Sequence, residues 1–365
     1  REQGITIDVA YRYFNTPKRK FIIADTPGHV QYTRNMVTGA STADAALILI
    51  DARIGVSEQT RRHAYIASLL GIPHQIICVN KMDLIDFSQE RFEEIRRQFE
   101  ALSHQLHSET THFIPVSALL GDNVVNRSSN TPWYSGPPLL RLLESIELRK
   151  NTASAPARFP VQTVIRTEND PHYYGLAGSL VSGEFQKGDS IRIQPSGQMA
   201  KIEAIHQHGQ EISRAHAPMS VVLSLSEPIS VSRGDLVLHS EEALVPTNTH
   251  EAHLCWLNEQ PGTTGKSYLL RHTTNEQTAV IEEVLYHVNV NELGPLAGKT
   301  QLDMNDICKI RFRSSAPLAA DTYENNRHTG SFILIDQETK DTVAAGMISN
   351  SQIAGHHENF THQIL

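Results

Sequence analysis

The chain has little cysteine. Cys78, Cys255 and Cys308 are the only three in 365 residues, which excludes a disulfide framework and a zinc cage and predicts a reducing, cytoplasmic setting. Long apolar runs are missing as well. Nothing approaches the stretch of about 20 apolar residues that a spanning helix needs. The opening Arg1-Glu2-Gln3-Gly4-Ile5-Thr6-Ile7-Asp8 has no apolar signal segment, so no membrane partner is expected. Nor is there an excess of positive charge. Lys and Arg number 32 against 40 Asp and Glu, a formal charge of −8, which argues against a broad electrostatic grip on nucleic acid. The first residue is Arg1 and not methionine, as expected of a processed chain or a partial record of a longer one. What is present, 39% hydrophobic and 20% charged residues, is ordinary soluble-protein composition. The length suits two or three domains at roughly 100–200 residues each.

Up to residue 150, apolar runs alternate with helical patterns. Phe21–Ala24, Ala45–Ile50 and His74–Val79 are short continuous apolar runs, the pattern of strands buried on both faces of a parallel sheet. Gln59–Leu70 reads as a helix closed by Gly71. Ser88 caps a second helix in which Phe92, Ile95 and Phe99 share one face. His112–Val116 predicts the next strand, and Pro138–Leu148 a closing helix with proline in its first turn. Together these predict an open α/β domain over residues 1–150. Asn151–Ala157 is a small-residue linker, and beyond it the helical period disappears. Phe159–Arg166, Gly178–Val181, Ser190–Gln194, Ala200–His206, Ser220–Leu225 and Asp235–His239 are β-rich runs between turn signals such as Lys187-Gly188-Asp189. They predict a small antiparallel barrel over 158–245. The polar Pro246–His250 reads as a connector to a second barrel over 250–348, which includes Ser267–His272, Ala279–Val290, Ile307–Phe312 and Ser331–Ile335. Residues 349–365 are polar and aperiodic, a tail.

The chemistry-bearing residues stand at predicted strand ends. Asp25-Thr26-Pro27-Gly28-His29 follows the first apolar run, at the carboxyl end of a strand, where α/β sheets bind ligands. There Asp25 can reach a magnesium ion, the Gly28 N–H can approach a terminal phosphate closely, and His29 can orient a water. The alternative is an ordinary Pro-Gly turn. Asn80-Lys81-Met82-Asp83 ends a later strand. A carboxylate such as Asp83 accepts two N–H bonds from guanine but finds no such pair on adenine. Asn80 can brace the loop while the Lys81 stem covers the base face. Ser117-Ala118-Leu119, after the next strand, would bring a backbone N–H to the guanine carbonyl oxygen. Gly4-Ile5-Thr6-Ile7 offers Thr6 to magnesium when a loop closes, or is simply a β-branched strand start. The four elements in this order point to a guanine-nucleotide-binding domain with GTP and Mg2+ as its cofactors.

At these residues the chain resembles the translational GTPase family, the class of elongation factor Tu, and the two barrels resemble that family's second and third domains. Within it, Arg1–Phe14, Gln31–Met36, Thr38–Thr42 and Asn326–Asp336 are similar to the GTPase subunits of bacterial sulfate adenylyltransferases. The resemblance implies a P-loop-type GTPase domain followed by two antiparallel β-barrels, and a regulatory GTPase working with a separate catalytic adenylyltransferase subunit. GTP hydrolysis would drive synthesis of adenosine 5′-phosphosulfate and pyrophosphate from ATP and sulfate. It implies His29 as the catalytic residue, Thr6 and Asp25 at the metal, and Asp25–His29, Asn80–Asp83 and Ser117–Leu119 around GTP. Two features depart from the family. Val30 stands where those subunits usually carry glutamate, and no Gly-x-x-x-x-Gly-Lys-[Ser/Thr] occurs in these residues. That loop cradles the β- and γ-phosphates, so these residues alone are expected to bind GTP poorly. Rival readings are an elongation factor binding aminoacyl-tRNA, and a non-enzymatic scaffold that keeps only the partner surface.

Overall fold

A computed structural model describes residues 9–26, 36–37, 40, 43–103, 106, 108–148, 155–167, 170–227, 229–290, 292, 294–296 and 298–350. The chain divides into two compact units, 1–150 with 288–296, and 151–287 with 297–365.

The first unit is built on three parallel strands, β3 (Ala45–Asp51), β4 (His74–Asn80) and β5 (Thr110–Pro115). An antiparallel ribbon, β1 (Ala10–Asn15) with β2 (Lys20–Asp25), precedes them. Strand β4 is buried from His74 to Val79, and its alternation divides the core. Ile77 and Val79 pack with Ile48, Ile50, Met82 and Phe92 on one face; Ile76 and Cys78 pack with Ile114, Val116 and Leu142 on the other. Helix α1 (Glu58–Leu69) starts on a capping box in which Ser57 Oγ accepts the Thr60 N–H at 3.1 Å and Thr60 Oγ1 accepts the Ser57 N–H at 3.3 Å. It ends at Gly71, whose φ of +62° is the left-handed value that a helix stop of this kind requires. Helix α2 (Gln89–Ser103) buries Phe92, Ile95 and Phe99, as their spacing predicts; each contributes about 1.5–3 kcal/mol of burial. Helix α3 (Leu139–Ser145) closes the unit. Arg19, in the turn of the ribbon, donates to the carbonyls of Leu143 and Ile146 at 2.9 Å, using the acceptors that the end of α3 leaves open.

One expectation is overturned here. The Phe21–Ala24 run is not a parallel strand buried on both faces. It lies in β2, antiparallel to β1, with Ile22 63% and Ile23 46% exposed. On β3, Leu47 and Leu49 are 44% and 64% exposed. The physical reason is a missing neighbour: among the described residues β2 pairs only with β1, and β3 only with β4.

The second unit holds two barrels, each a closed ring of six antiparallel strands. The first runs Ser190–Gln194, Gln198–Gln207, Ser220–Leu225, Asp170–Ser179, Phe159–Thr167 and Leu236–His239, which pairs back to Ser190–Gln194. The second runs Ser267–His272, Ser331–Ile335, Thr342–Asn350, Thr247–Trp256, Ile307–Leu318 and Asn275–Asn289, which pairs back to Ser267–His272. Closure removes the exposed edges that open sheets carry. Phe159, Phe185, Ile191 and Leu223 fill the first barrel; Trp256, Tyr268, Phe312 and Phe332 fill the second. The expected connector Pro246–His250 is mostly strand, because Thr247–His250 pair with the end of Ile307–Leu318 and His250 stacks on Phe312 at 5.3 Å. Likewise the last strand carries on through Ser349 and Asn350, and the rest of the expected tail, 351–365, lies outside the described residues.

Candidate functional site

The parallel register decides which loops meet. Asp51 pairs with Asn80, and Val79 with Pro115, so the carboxyl ends of β3, β4 and β5 lie side by side. Asn80 Oδ1 accepts two backbone N–H bonds, from Lys81 at 2.8 Å and from Ala118 at 2.9 Å. One side chain thus ties the Asn80–Asp83 loop to the Ser117–Leu119 loop. Further backbone bonds support the same junction: Ala52 N–H to the Asn80 carbonyl at 2.9 Å and Met82 N–H to the Val116 carbonyl at 3.2 Å.

Each residue expected at the base has a distinct environment. Lys81 is left-handed, with φ 64° and ψ 36°, uncommon for a residue with a β-carbon. Met82 is fully buried and anchors the short 3-10 helix Met82–Ile85 in the core. Asp83, one residue on, is half-buried, and its carboxylate has no partner among the described residues. Ser117 is fully buried; its carbonyl accepts the Gly121 N–H at 2.7 Å and its hydroxyl the Leu120 N–H at 3.2 Å, which closes a tight turn. Since the Ala118 N–H is spent on Asn80, the donor of this loop left unpaired among the described residues is the Leu119 N–H; Leu119 is 85% exposed. Asn123, buried and left-handed at φ 55°, supports the turn from behind by donating to the Pro115 carbonyl and Thr131 Oγ1, both at 2.8 Å.

Sequence reasoning missed Asp51. Its Oδ2 accepts from Lys81 Nζ at 2.8 Å and Arg53 Nη2 at 2.6 Å, while Oδ1 accepts from Arg53 Nε and N, each at 3.0 Å. The Arg53 bonds, with Lys81 beside them, hold this carboxyl far below the usual carboxylate range. An aspartate ending an apolar run was the signal that could have found it.

The remaining expectations fall elsewhere. Asp25 ends β2, half-buried, its carboxylate without a partner among the described residues, and Thr26 follows it. Thr6, Pro27, Gly28 and His29 lie outside the described residues. The Asn326–Asp336 signature sits in the barrel unit. Asn326 Nδ2 donates to Ser182 Oγ at 2.8 Å, and Thr329 donates to Asp321. Asp321 takes a two-bond fork from Arg158, at 2.8 and 3.0 Å, and Arg158 also donates to Glu242. That signature therefore joins the two barrels within their unit.

Residues 1–153 match the family model of the elongation factor Tu GTP binding domain, and 249–349 match the GTP-eEF1A C-terminal domain-like model. The chain resembles solved structures of sup35 complexed with GMPPNP and with GDP, at 25% identity and TM-scores of 0.51 and 0.50, over 93% of this chain and 83% of those. Sulfate adenylyltransferase subunit 1 of Sulfurovum sp. is 47% identical over 356 residues, which cover 95% of this chain and 74% of that protein. The same subunit of Saccharophagus degradans is 47% identical over 350 residues, covering 95% and 73%. A bifunctional enzyme CysN/CysC of Rhodopirellula baltica is 46% identical over 361 residues, but the match spans only 55% of that longer protein. The chain belongs to the family of sulfate adenylyltransferase subunit 1.

Proposed function

We propose that this chain is the GTP-hydrolysing subunit of a cytoplasmic sulfate adenylyltransferase. It works beside a separate catalytic subunit, and GTP hydrolysis drives formation of adenosine 5′-phosphosulfate and pyrophosphate from ATP and sulfate. The observation that carries the reading is Asn80 tying two loops together while the neighbouring Asp83 carboxylate stays uncommitted. Guanine donates from N1 and its exocyclic amine and accepts at its carbonyl oxygen. Asp83 supplies the acceptors and the Leu119 N–H the donor; adenine presents the wrong pattern to both. Each bond to the charged carboxylate contributes about 1.5–3 kcal/mol.

At the phosphate end, Asp25 fits a magnesium ligand, because its carboxylate is half-exposed and has no partner among the described residues. With Thr6 it would hold Mg2+, which supplies charge neutralisation for the phosphates. Pro27 and Gly28 would bring backbone to the terminal phosphate, and His29 would orient the attacking water. Among the described residues the edges of β2 and β3 are open, with Ile22 and Leu49 exposed, and would accept a further strand. Such a strand is where a Gly-x-x-x-x-Gly-Lys-[Ser/Thr] loop would enter the domain.

The test is reconstitution with a catalytic adenylyltransferase subunit. GTP should raise the yield of adenosine 5′-phosphosulfate above its equilibrium value, with GTP consumed in parallel. A yield indifferent to GTP contradicts the reading, and tight binding of aminoacyl-tRNA in a filter assay would favour an elongation factor instead.

A further inference from the structure

We propose that Asp51 is a positioning residue for the guanine base, holding Lys81 as a preformed strut beneath it. This rests on the base-binding reading above and adds to it a residue that touches neither base nor phosphate. Lys81 is tied at both ends. Its N–H is held by Asn80 Oδ1 at 2.8 Å and its ammonium by Asp51 Oδ2 at 2.8 Å. Because Asp51 and Asn80 are paired in the parallel register, the four methylenes between those anchors run across the ends of two adjacent strands. A free lysine loses much rotamer freedom when it orders. Here that ordering is complete before any nucleotide arrives, and the half-exposed stem presents an apolar surface.

Asp51 can do this because it is itself immobilised. Arg53 grips both of its oxygens with three bonds. Behind them Arg91 of α2 donates to the Ala52 carbonyl at 2.9 Å and the Arg53 carbonyl at 3.3 Å. The chain from α2 to Lys81 is therefore continuous. An ordinary exposed Lys–Asp pair would add little and leave the base site untouched; the difference lies in coupling.

A double-mutant cycle on the intact native protein, with Mg2+ present, separates the two. The measured quantity is the Kd for GDP. Asp51→Asn should raise it about three- to ten-fold, the loss expected for one long side chain no longer held in place. In a Lys81→Ala background, Asp51→Asn should have no further effect. Lys81→Met, which keeps the stem and frees it from Asp51, should match Asp51→Asn and covers the case in which the latter folds poorly. An equal effect of Asp51→Asn in both backgrounds would mean a merely structural role and overturn the proposal, as would no effect of Asp51→Asn or Lys81→Met. Failure of the unmutated protein to bind GDP would overturn the base-binding reading itself.

Discussion

Replacing Asn80 with alanine removes one acceptor atom that holds two loops. The lost contacts are the N–H bonds of Lys81 at 2.8 Å and Ala118 at 2.9 Å. A bond of this kind contributes about 1 kcal/mol net. Both donors lie in exposed residues, where water takes over part of the loss, so the pair is worth about 1–2 kcal/mol. At 1.4 kcal/mol per decade, guanine nucleotide affinity should fall roughly 5- to 30-fold. Because Asn80 touches backbone and not the base in this arrangement, the loss should be the same for GDP and for xanthosine diphosphate. A fluorescent-nucleotide titration of the phosphate-loop-complete protein measures both. Amide exchange provides a second readout, since the Ala118 N–H should lose protection while the Val116 N–H, bonded to the Val79 carbonyl at 2.8 Å, keeps it. A change under about two-fold, or a loss confined to guanine, would refute the bracing argument.

Other outcomes are equally specific. Asp83→Asn should weaken guanine nucleotides and favour xanthine nucleotides, since a carboxamide can donate to xanthine's extra carbonyl; unchanged base preference in competition titrations would sink the assignment. Arg158→Met should strand Asp321 and Glu242 with little solvent, because the Arg158 side chain is only 6% exposed. Breaking a buried pair costs about 3–5 kcal/mol, so calorimetry should show the barrel unit melting roughly 6–20 °C lower, at about 2–4 °C per kcal/mol. A drop below about 3 °C would contradict that. His250 is buried against Phe312, and desolvation pulls its pKa from 6.5 down to about 4. The unfolded chain then binds more protons than the folded one between those values. His250 should therefore take about 3 kcal/mol from barrel stability as pH drops from 6.5 toward 4, and the buried His272 and His287, whose pKa values desolvation also lowers, add to the fall. Urea melts of His250→Gln should lose His250's share of that slope; an unchanged slope would assign it elsewhere.

Some of this protein was legible without its tertiary structure. The helix that buries Phe92, Ile95 and Phe99 starts just after its expected cap Ser88, and the barrel strands Ser190–Gln194, Ser220–Leu225, Ser267–His272 and Ser331–Ile335 match the limits read from local pattern. Periodicity and turn residues act over a few positions, so a linear reading reaches them. Thr247–His250 was not legible, because Thr-Asn-Thr-His carries no apolar alternation and becomes strand only by pairing with a segment some sixty residues away. The Phe21–Ala24 run was misleading for the converse reason: apolar composition says that a strand wants burial, but its neighbours decide whether it gets it.

The same division holds at the site. Asn80, Asp83 and Ser117 could be singled out because the residue types and their order along the chain already express guanine chemistry. That Asn80 is the brace, that the Ala118 N–H is committed and the Leu119 N–H is free, and that Asp51 reaches Lys81 thirty residues on depend on strand register. Register is a property of packed neighbours, not of local sequence. The amino-acid sequence alone determined which chemistry is present and which elements carry it; only the tertiary structure decided which groups meet, because contacts between distant segments arise from the parallel pairing that aligns the ends of β3, β4 and β5.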